Sequence, residues 1–172
     1  RRIVRGAPGR GAEAYDFTHD KLREAAYNSL SAARRRLLHH RIAQALEAVC
    51  EHSPDAVCGQ VATHYELAGR FEQAIPYYQR AAEAAQRIYA NAEAIRDYRR
   101  ALALLATSGQ APGLLAVALH EGLGDVLHLV GQHEEARASY RQAVACLLPS
   151  DPFRQAEIQR KIGNTLVSQR DF

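Results

Sequence analysis

The chain has 172 residues, enough for one domain or a short helical array, and its 47% of hydrophobic residues and many Ala, Leu, Arg, Gln and Glu residues predict an all-α protein. No apolar run approaches the roughly 18 residues that cross a bilayer, and three cysteines lack the spacing of a disulfide framework, which favours a soluble, cytoplasmic protein. The net charge of +3 divides into +5 over residues 1–50 (10 Lys and Arg against 5 Asp and Glu) and −2 over residues 51–172 (12 against 14). There is no methionine, and we expect the chain to be a piece of a longer protein.

The first 50 residues predict a short β-hairpin followed by two helices. Apolar and polar residues alternate over residues 3–5 and 14–17, on either side of a loop rich in glycine and proline. Apolar residues at helical spacing then predict one helix over 18–30 and a longer one over 32–49. Ser31 is expected to cap the longer helix.

Residues 51–172 predict six further helices joined by short loops. The expected ranges are 55–68, 71–88, 91–106, 112–130, 133–148 and 153–169. Gly69 and Gly131 lie where a helix ends and the chain must turn, which predicts the left-handed backbone that glycine adopts at little cost. Pro76 lies near the start of its helix, so we expect that helix to continue through it.

Two segments of this second part are similar to each other. "VATHYELAGRFEQAIPYYQRAAEA" (61–84) aligns without a gap with "LGDVLHLVGQHEEARASYRQAVAC" (123–146), and the shared positions are a turn glycine, small alanines and an aromatic residue. These residues resemble the tetratricopeptide repeat (TPR), a unit of about 34 residues with two antiparallel helices. The resemblance implies an all-α fold, a right-handed superhelix of antiparallel helix pairs (an α-solenoid) over residues 51–172, with a truncated last repeat.

One spacing departs from the repeat. A further copy of its second half, "EAIRDYRRALALL", places Ala94 only 20 residues after Ala74. We therefore expect the helix over 71–88 to pack against both of its neighbours. Near the end of the chain, the pair 162–163 (Ile-Gly) echoes the pair 123–124 (Leu-Gly) of the repeat.

The N-terminal part carries a second resemblance. "YDFTHDKLREAAYNSLSAARRRLLHHRIAQALE" (15–47) is similar to the segment that joins the winged-helix part to the repeats in large bacterial signal-transduction (STAND) ATPases, which include MalT-like transcriptional activators. The matching residues are Phe17, His19, Asp20, Tyr27, Arg36 and His39 or His40. The resemblance implies that residues 1–50 are the remnant of a winged-helix and linker region, and that residues 51–172 form the repeats.

A metal-dependent enzyme is one alternative. His19 and Asp20, with His39 and His40, could belong to a phosphohydrolase site of the His-Asp type, but no spacing supplies the further ligands that such a site needs. No phosphate-binding glycine loop or nucleophile motif is found in the sequence. We therefore expect no catalytic residues and no cofactor.

Four possible zinc ligands also lie within 15 residues of one another. Cys50, His52, Cys58 and His64 are the residue types of a tetrahedral zinc site. Cys58 and His64, however, are six residues apart on one expected helix and point to different faces of it. We expect no metal to bind there.

A basic patch gives a second alternative, a DNA-binding module. Its six residues lie on the two helices expected within residues 1–50: Lys21, Arg23, Arg34, Arg35, Arg36 and Arg41. Such a patch suits nucleic acid or an acidic partner, but it equally suits solubility or pairing with another domain.

The function that we expect is non-catalytic: a scaffold for protein–protein interaction or ligand sensing within a larger bacterial transcriptional or signalling regulator. The first helices of the repeats are expected to line a concave groove for a protein, a peptide or another domain of the same chain. The candidate groove residues are Gln60, His64, His120, Asp125, His128, Gln159 and Asn164. A homo-oligomer formed through the truncated last repeat is also open.

Overall fold

The structure of the chain is a computed structural model that describes residues 4–6, 15–17, 20–52, 54–109, 113–147 and 151–170. These ranges contain two short strands, β1 (Val4–Gly6) and β2 (Tyr15–Phe17), and eight helices. The helices are α1 (Asp20–Ser29), α2 (Ala32–His52), α3 (Pro54–Leu67), α4 (Phe71–Arg87), α5 (Asn91–Thr107), α6 (Leu114–Leu129), α7 (His133–Cys146) and α8 (Pro152–Arg170). Each helix expected from the sequence is present, which confirms the all-α fold.

The two strands form an antiparallel pair at the N-terminal end. Val4 lies opposite Phe17, and Gly6 lies opposite Tyr15. The hairpin expected from the alternating pattern is therefore present over residues 4–6 and 15–17. The loop that joins the strands lies outside the described residues.

Local interactions explain where the helices begin and end. The backbone N–H of Arg34 donates to Ser31 Oγ at 3.3 Å, so Ser31 caps α2 as predicted. Gly69 follows α3 with a φ of 72°, and Gly131 follows α6 with a φ of 79°. Helix α4 runs from Phe71 through its internal proline to Arg87, as expected. Among the described helices, none combines the length and the apolarity that a membrane crossing requires.

Packing follows chain order from α2 to α8. Helix α4 packs against both α3 and α5, which confirms the double role predicted from the short spacing between Ala74 and Ala94. Helix α2 packs against α3 as extensively as α4 does, so the stack of helices starts before residue 51. The domain boundary between residues 50 and 51 stays a prediction.

Small residues let the helices approach one another, and tyrosines fill the space beside them. Gly124 of α6 faces Tyr140 of α7, and a Cβ atom on Gly124 would lie 2.6 Å from the tyrosine ring. Gly122 faces Tyr98 of α5 in the same way, also at 2.6 Å. Both tyrosines are buried, so these glycines are needed for close approach rather than for a turn.

Candidate interaction groove

A groove with a volume of about 1180 Å³ runs along α4, between α3 and α5. This volume is above the roughly 300–1,000 Å³ of most small-molecule sites and would hold roughly ten residues of an α-helix. Its floor is the small side chains Ala81, Ala84 and Ala85 of α4. One wall is formed by α3, where Gln60 and Thr63 are exposed to the groove.

The other wall is a row of arginines on α5, which we call the arginine face: Arg96, Arg99 and Arg100. Arg99 and Arg100 follow Arg96 by three and four positions, so both lie on the same side of α5 as Arg96. Arg96 Nε donates to Asp97 Oδ1 at 2.8 Å, and Arg99 Nη2 donates to Glu135 Oε2 at 2.6 Å. These bonds hold the guanidinium groups in place at the groove wall.

A polar network joins the three helices that form the groove. Glu66 of α3 accepts a hydrogen bond from the Tyr78 hydroxyl of α4 at 2.7 Å and another from Arg100 Nε of α5 at 2.8 Å. Thr63 lies 3.4 Å from the same hydroxyl. Burial raises the pKa of Tyr78, so its hydroxyl keeps its proton at neutral pH. The network fixes the spacing of α3 and α5 across α4.

Gln60 is the predicted groove residue that lines this groove. Asp125, also in the predicted set, instead accepts hydrogen bonds from Tyr140 at 2.7 Å and from Lys161 at 2.8 Å. His128 Nδ1 lies 3.2 Å from His133 Nδ1 in the next helix.

The other four predicted groove residues are placed as follows. His64 faces α2. His120 is half-buried, and its Nδ1 has no hydrogen-bond partner among the described residues. Gln159 and Asn164 are exposed on α8. As a binding surface, the predicted set of seven stays a prediction.

Two segments of the chain match family patterns. Residues 57–89, which include most of α3 and all of α4, match a tetratricopeptide repeat, and so do residues 118–145 of α6 and α7. The chain therefore has a TPR-like α-solenoid fold. Helix α5 lies between the two matched TPR units, where it packs on both α4 and α6. Arrays of this type are scaffolds that bind other proteins on extended concave surfaces.

The chain is also similar to an uncharacterized protein of Rhizobium meliloti (strain 1021). The two are 33% identical over 139 residues, which is 78% of this chain and 13% of that protein. The chain therefore spans a small part of the length of that relative.

A chain of polar contacts connects α1, α2 and α3 at the start of the TPR array. The Tyr27 hydroxyl lies 2.8 Å from His39 Nε2, and His39 Nδ1 lies 2.9 Å from His64 Nδ1. Two arrangements of protons with neutral rings satisfy both contacts. In one, the tyrosine donates to Nε2 and the Nδ1–H of His39 donates to His64; in the other, the Nδ1–H of His64 donates to His39 and the Nε2–H of His39 donates to the tyrosine oxygen. Burial lowers the pKa of His39, and burial and then the nearby His39 lower the pKa of His64.

We expect acid to destabilise the array through this pair. Because each folded-state pKa lies below the ordinary value of 6.5, the unfolded chain takes up protons first as the pH falls. The contribution of the two neutral histidines to stability is therefore fully present above about pH 7. It is lost as the pH falls below about 6.5, towards the lowered pKa values. Urea unfolding measures the free energy of unfolding at about pH 7.5 and about pH 5.5. Between these two pH values it should fall less in the double variant His39→Gln, His64→Gln than in the unsubstituted chain. Equal losses in the two proteins would contradict this account.

Glu47 of α2 connects the same end of the array to the first TPR unit. Its carboxylate accepts hydrogen bonds from the Tyr65 hydroxyl at 2.7 Å and from the Tyr77 hydroxyl at 2.5 Å. Burial, followed by the bond to Glu47, raises the pKa of Tyr65 to about 12. The TPR pattern does not explain why position 77 is a tyrosine. The hydrogen bond of Tyr77 to Glu47 of α2 gives this residue a role.

An acid–base cluster attaches α8 to α6. The buried Glu121 accepts from Arg154 Nη2 at 2.5 Å and from Lys161 Nζ at 2.7 Å. Lys161 also lies 2.7 Å from Asp125. Burial alone would lower the pKa of Lys161, but its hydrogen bonds to these two carboxylates outweigh burial and raise the pKa. The cluster therefore contains a charged lysine between two carboxylates.

The described residues contain no group of three or more His, Cys, Asp or Glu that could hold a metal ion. Cys58 is buried, and His64 is engaged by His39. His19 and the side chains of Cys50 and His52 lie outside the described residues. The expectation that the chain binds no metal stays a prediction.

The six residues of the basic patch lie on α1 and α2. Arg23 pairs with Asp20 at 3.2 Å, and the Arg35 guanidinium lies 5.3 Å from the centre of the Tyr27 ring. The others are exposed: Lys21, Arg34, Arg36 and Arg41. Nucleic-acid binding through this patch stays a prediction.

Helix α8 exposes apolar side chains. Phe153 lies in its first turn, and Leu166 and Val167 lie near its end. Self-association through this helix stays a prediction.

Proposed function

We propose that the chain is a protein-interaction module whose partner binds in the groove along α4. The observation that carries the proposal is the groove itself: an apolar floor of alanines on α4, bounded by α3 on one side and by the arginine face of α5 on the other. A floor of small residues allows a partner backbone to approach closely, and fixed guanidinium groups supply directional hydrogen bonds. The Glu66–Tyr78–Arg100 network preorganises this surface, which lowers the entropic cost of binding.

We further propose that the module belongs to a longer, cytoplasmic bacterial signalling or transcriptional regulator. The similarity of residues 15–47 to the junction of STAND regulators supports this parentage. The greater length of the Rhizobium relative is consistent with it. In such a protein the partner in the groove would be a separate protein or another domain of the regulator.

Peptides selected for binding to the 172-residue chain test the proposal. A displayed library of helical peptides is selected against the parent chain, and the selected peptides are measured against the variant Gln60→Trp, Ala103→Trp. Both positions are exposed and line the groove, so the indoles fill the groove without entering the core. We expect the selected peptides to bind this variant at least about tenfold more weakly.

A matched variant carries its two indoles on α8 instead, Gln159→Trp, Asn164→Trp, at exposed positions of the predicted groove set. We expect it to bind the selected peptides like the parent chain. Loss of binding in this variant alone would assign the site to α8 and contradict the proposal. A library that yields no binding peptide would also contradict it.

A further inference from the structure

Three helices of the array end in the same type of turn. After α3, the N–H of Gly69 donates to Glu66 and the next N–H donates to Tyr65, both at 2.8 Å. After α6, Gly131 makes the corresponding bond to His128. This is the Schellman turn, in which one residue adopts a left-handed backbone. After α4, the corresponding residue is Tyr89, with a φ of 59°, and the turn is otherwise the same.

Tyr89 is an unfavourable residue for this position. A left-handed backbone brings its Cβ atom close to the following carbonyl oxygen, a contact that glycine avoids. Burial of the ring does not offset this strain, because Tyr89 is 77% exposed. The preceding residue, Ile88, is also exposed. Two large apolar side chains therefore stand in solvent at a strained turn. Such strain points to a functional role for the residue.

The strained turn lies at the end of the groove. Ile88 and Ala90 both line the groove, and Tyr89 lies between them in the chain. We call Ile88 and Tyr89 the lip. Together with Ala81, Ala84 and Ala85, Ile88 continues an apolar stripe on α4 with helical spacing of three and four residues. A stripe of this kind is the surface on which another helix packs.

The charges of the groove indicate the chemistry of that helix. Its arginine face presents three guanidinium groups, which pair with the carboxylates of Asp97, Glu135 and Glu66. The Arg96 side chain is 69% exposed whereas its partner Asp97 is 7% exposed, so the guanidinium covers the carboxylate. Arg100 similarly covers the largely buried Glu66. An approaching partner therefore meets guanidinium N–H donors, which suit carboxylates.

We propose that the lip anchors an amphipathic, acidic α-helix, which lays its apolar face on α4 and turns its carboxylates towards the arginine face. This inference rests on the proposed function and specifies the partner that the groove accepts. Tyr89 is the specificity-determining residue: a tyrosine supplies a large contact area at little entropic cost and commonly dominates binding. The strain at this turn is retained because the exposed ring is used in binding.

Two labelled peptide probes test the inference by fluorescence anisotropy. One is an amphipathic 16-residue helix of Leu, Ala and Glu, and the other has Lys in place of Glu. We expect the parent chain to bind the Glu peptide at least about tenfold more tightly than the Lys peptide, with a preference that weakens as salt is added. We expect Tyr89→Gly to weaken binding of the Glu peptide about tenfold and yet to raise the thermal midpoint by about 2 °C, because the strain is removed.

Leu114→Ala is the matched control, because Leu114 is also 77% exposed and lies outside the groove. It should leave binding of the Glu peptide unchanged. Parent-like binding of the Glu peptide by Tyr89→Gly would overturn the inference, as would equal binding of the two peptides or a dimer that Tyr89→Gly abolishes. If the unsubstituted chain binds neither probe, the acidic-helix inference is contradicted but the proposed function is not. The proposed function is tested separately by the selected peptides and the indole variants.

Discussion

Replacing Gly124 with alanine is expected to lower the free energy of unfolding by about 1–3 kcal/mol. The added Cβ atom would lie 2.6 Å from the ring of Tyr140, a separation that requires the ring or a helix to move. The ring is poorly placed to move, because it is buried and its hydroxyl donates to Asp125 at 2.7 Å. Urea-induced unfolding followed by circular dichroism measures the loss.

Gly163→Ala is the control for this prediction. Gly163 follows an isoleucine on α8 as Gly124 follows a leucine on α6, but a Cβ atom on Gly163 would meet nothing within 4 Å among the described residues. We expect Gly163→Ala to raise the free energy of unfolding by about 0.5–1 kcal/mol, because alanine is a better helix former than glycine. A loss of equal size at both positions would show that the contact with Tyr140 is not the cause.

Replacing Lys161 with methionine is expected to destabilise the chain by about 2 kcal/mol. Lys161 lies 2.7 Å from Glu121 and 2.7 Å from Asp125, so its removal leaves two neighbouring carboxylates on α6 with one cation fewer. The estimate is below the value for a fully buried pair, because Arg154 remains paired with Glu121 and Lys161 is partly exposed. Denaturant unfolding measures the total effect, and hydrogen exchange should show the greatest loss of protection in α8.

Arg160→Met is the matched change at the neighbouring, exposed position of α8. We expect it to alter stability by less than about 0.5 kcal/mol. If Lys161→Met were as mild as this control, the acid–base cluster would contribute little to the attachment of α8.

The repeat could be predicted from the sequence because its signals are local. Turn glycines, small alanines and an aromatic residue recur at fixed spacing, so the helices, the turns at Gly69 and Gly131 and the double role of α4 followed from the pattern. The spacing between Ala74 and Ala94 was sufficient to predict that α4 packs against both α3 and α5.

The groove was harder to predict because it depends on residues far apart in the chain. Glu66 and Arg100 are 34 residues apart, and they meet only because α3 and α5 both pack on α4. The predicted groove residues assumed that only the first helix of each repeat lines a binding surface. In the groove along α4, the second helix of the first TPR unit supplies the floor, and Gln60, from the predicted set, lies on the wall formed by α3.

The central claim is that a partner binds along α4, between α3 and α5. The most direct measurement is a titration of the isotopically labelled 172-residue chain with a selected peptide, following every backbone amide by NMR spectroscopy. We predict that the largest shifts fall in α4, in the turn at Tyr89 and on the arginine face of α5. Shifts confined to α6–α8, or to α1 and α2, would contradict the claim.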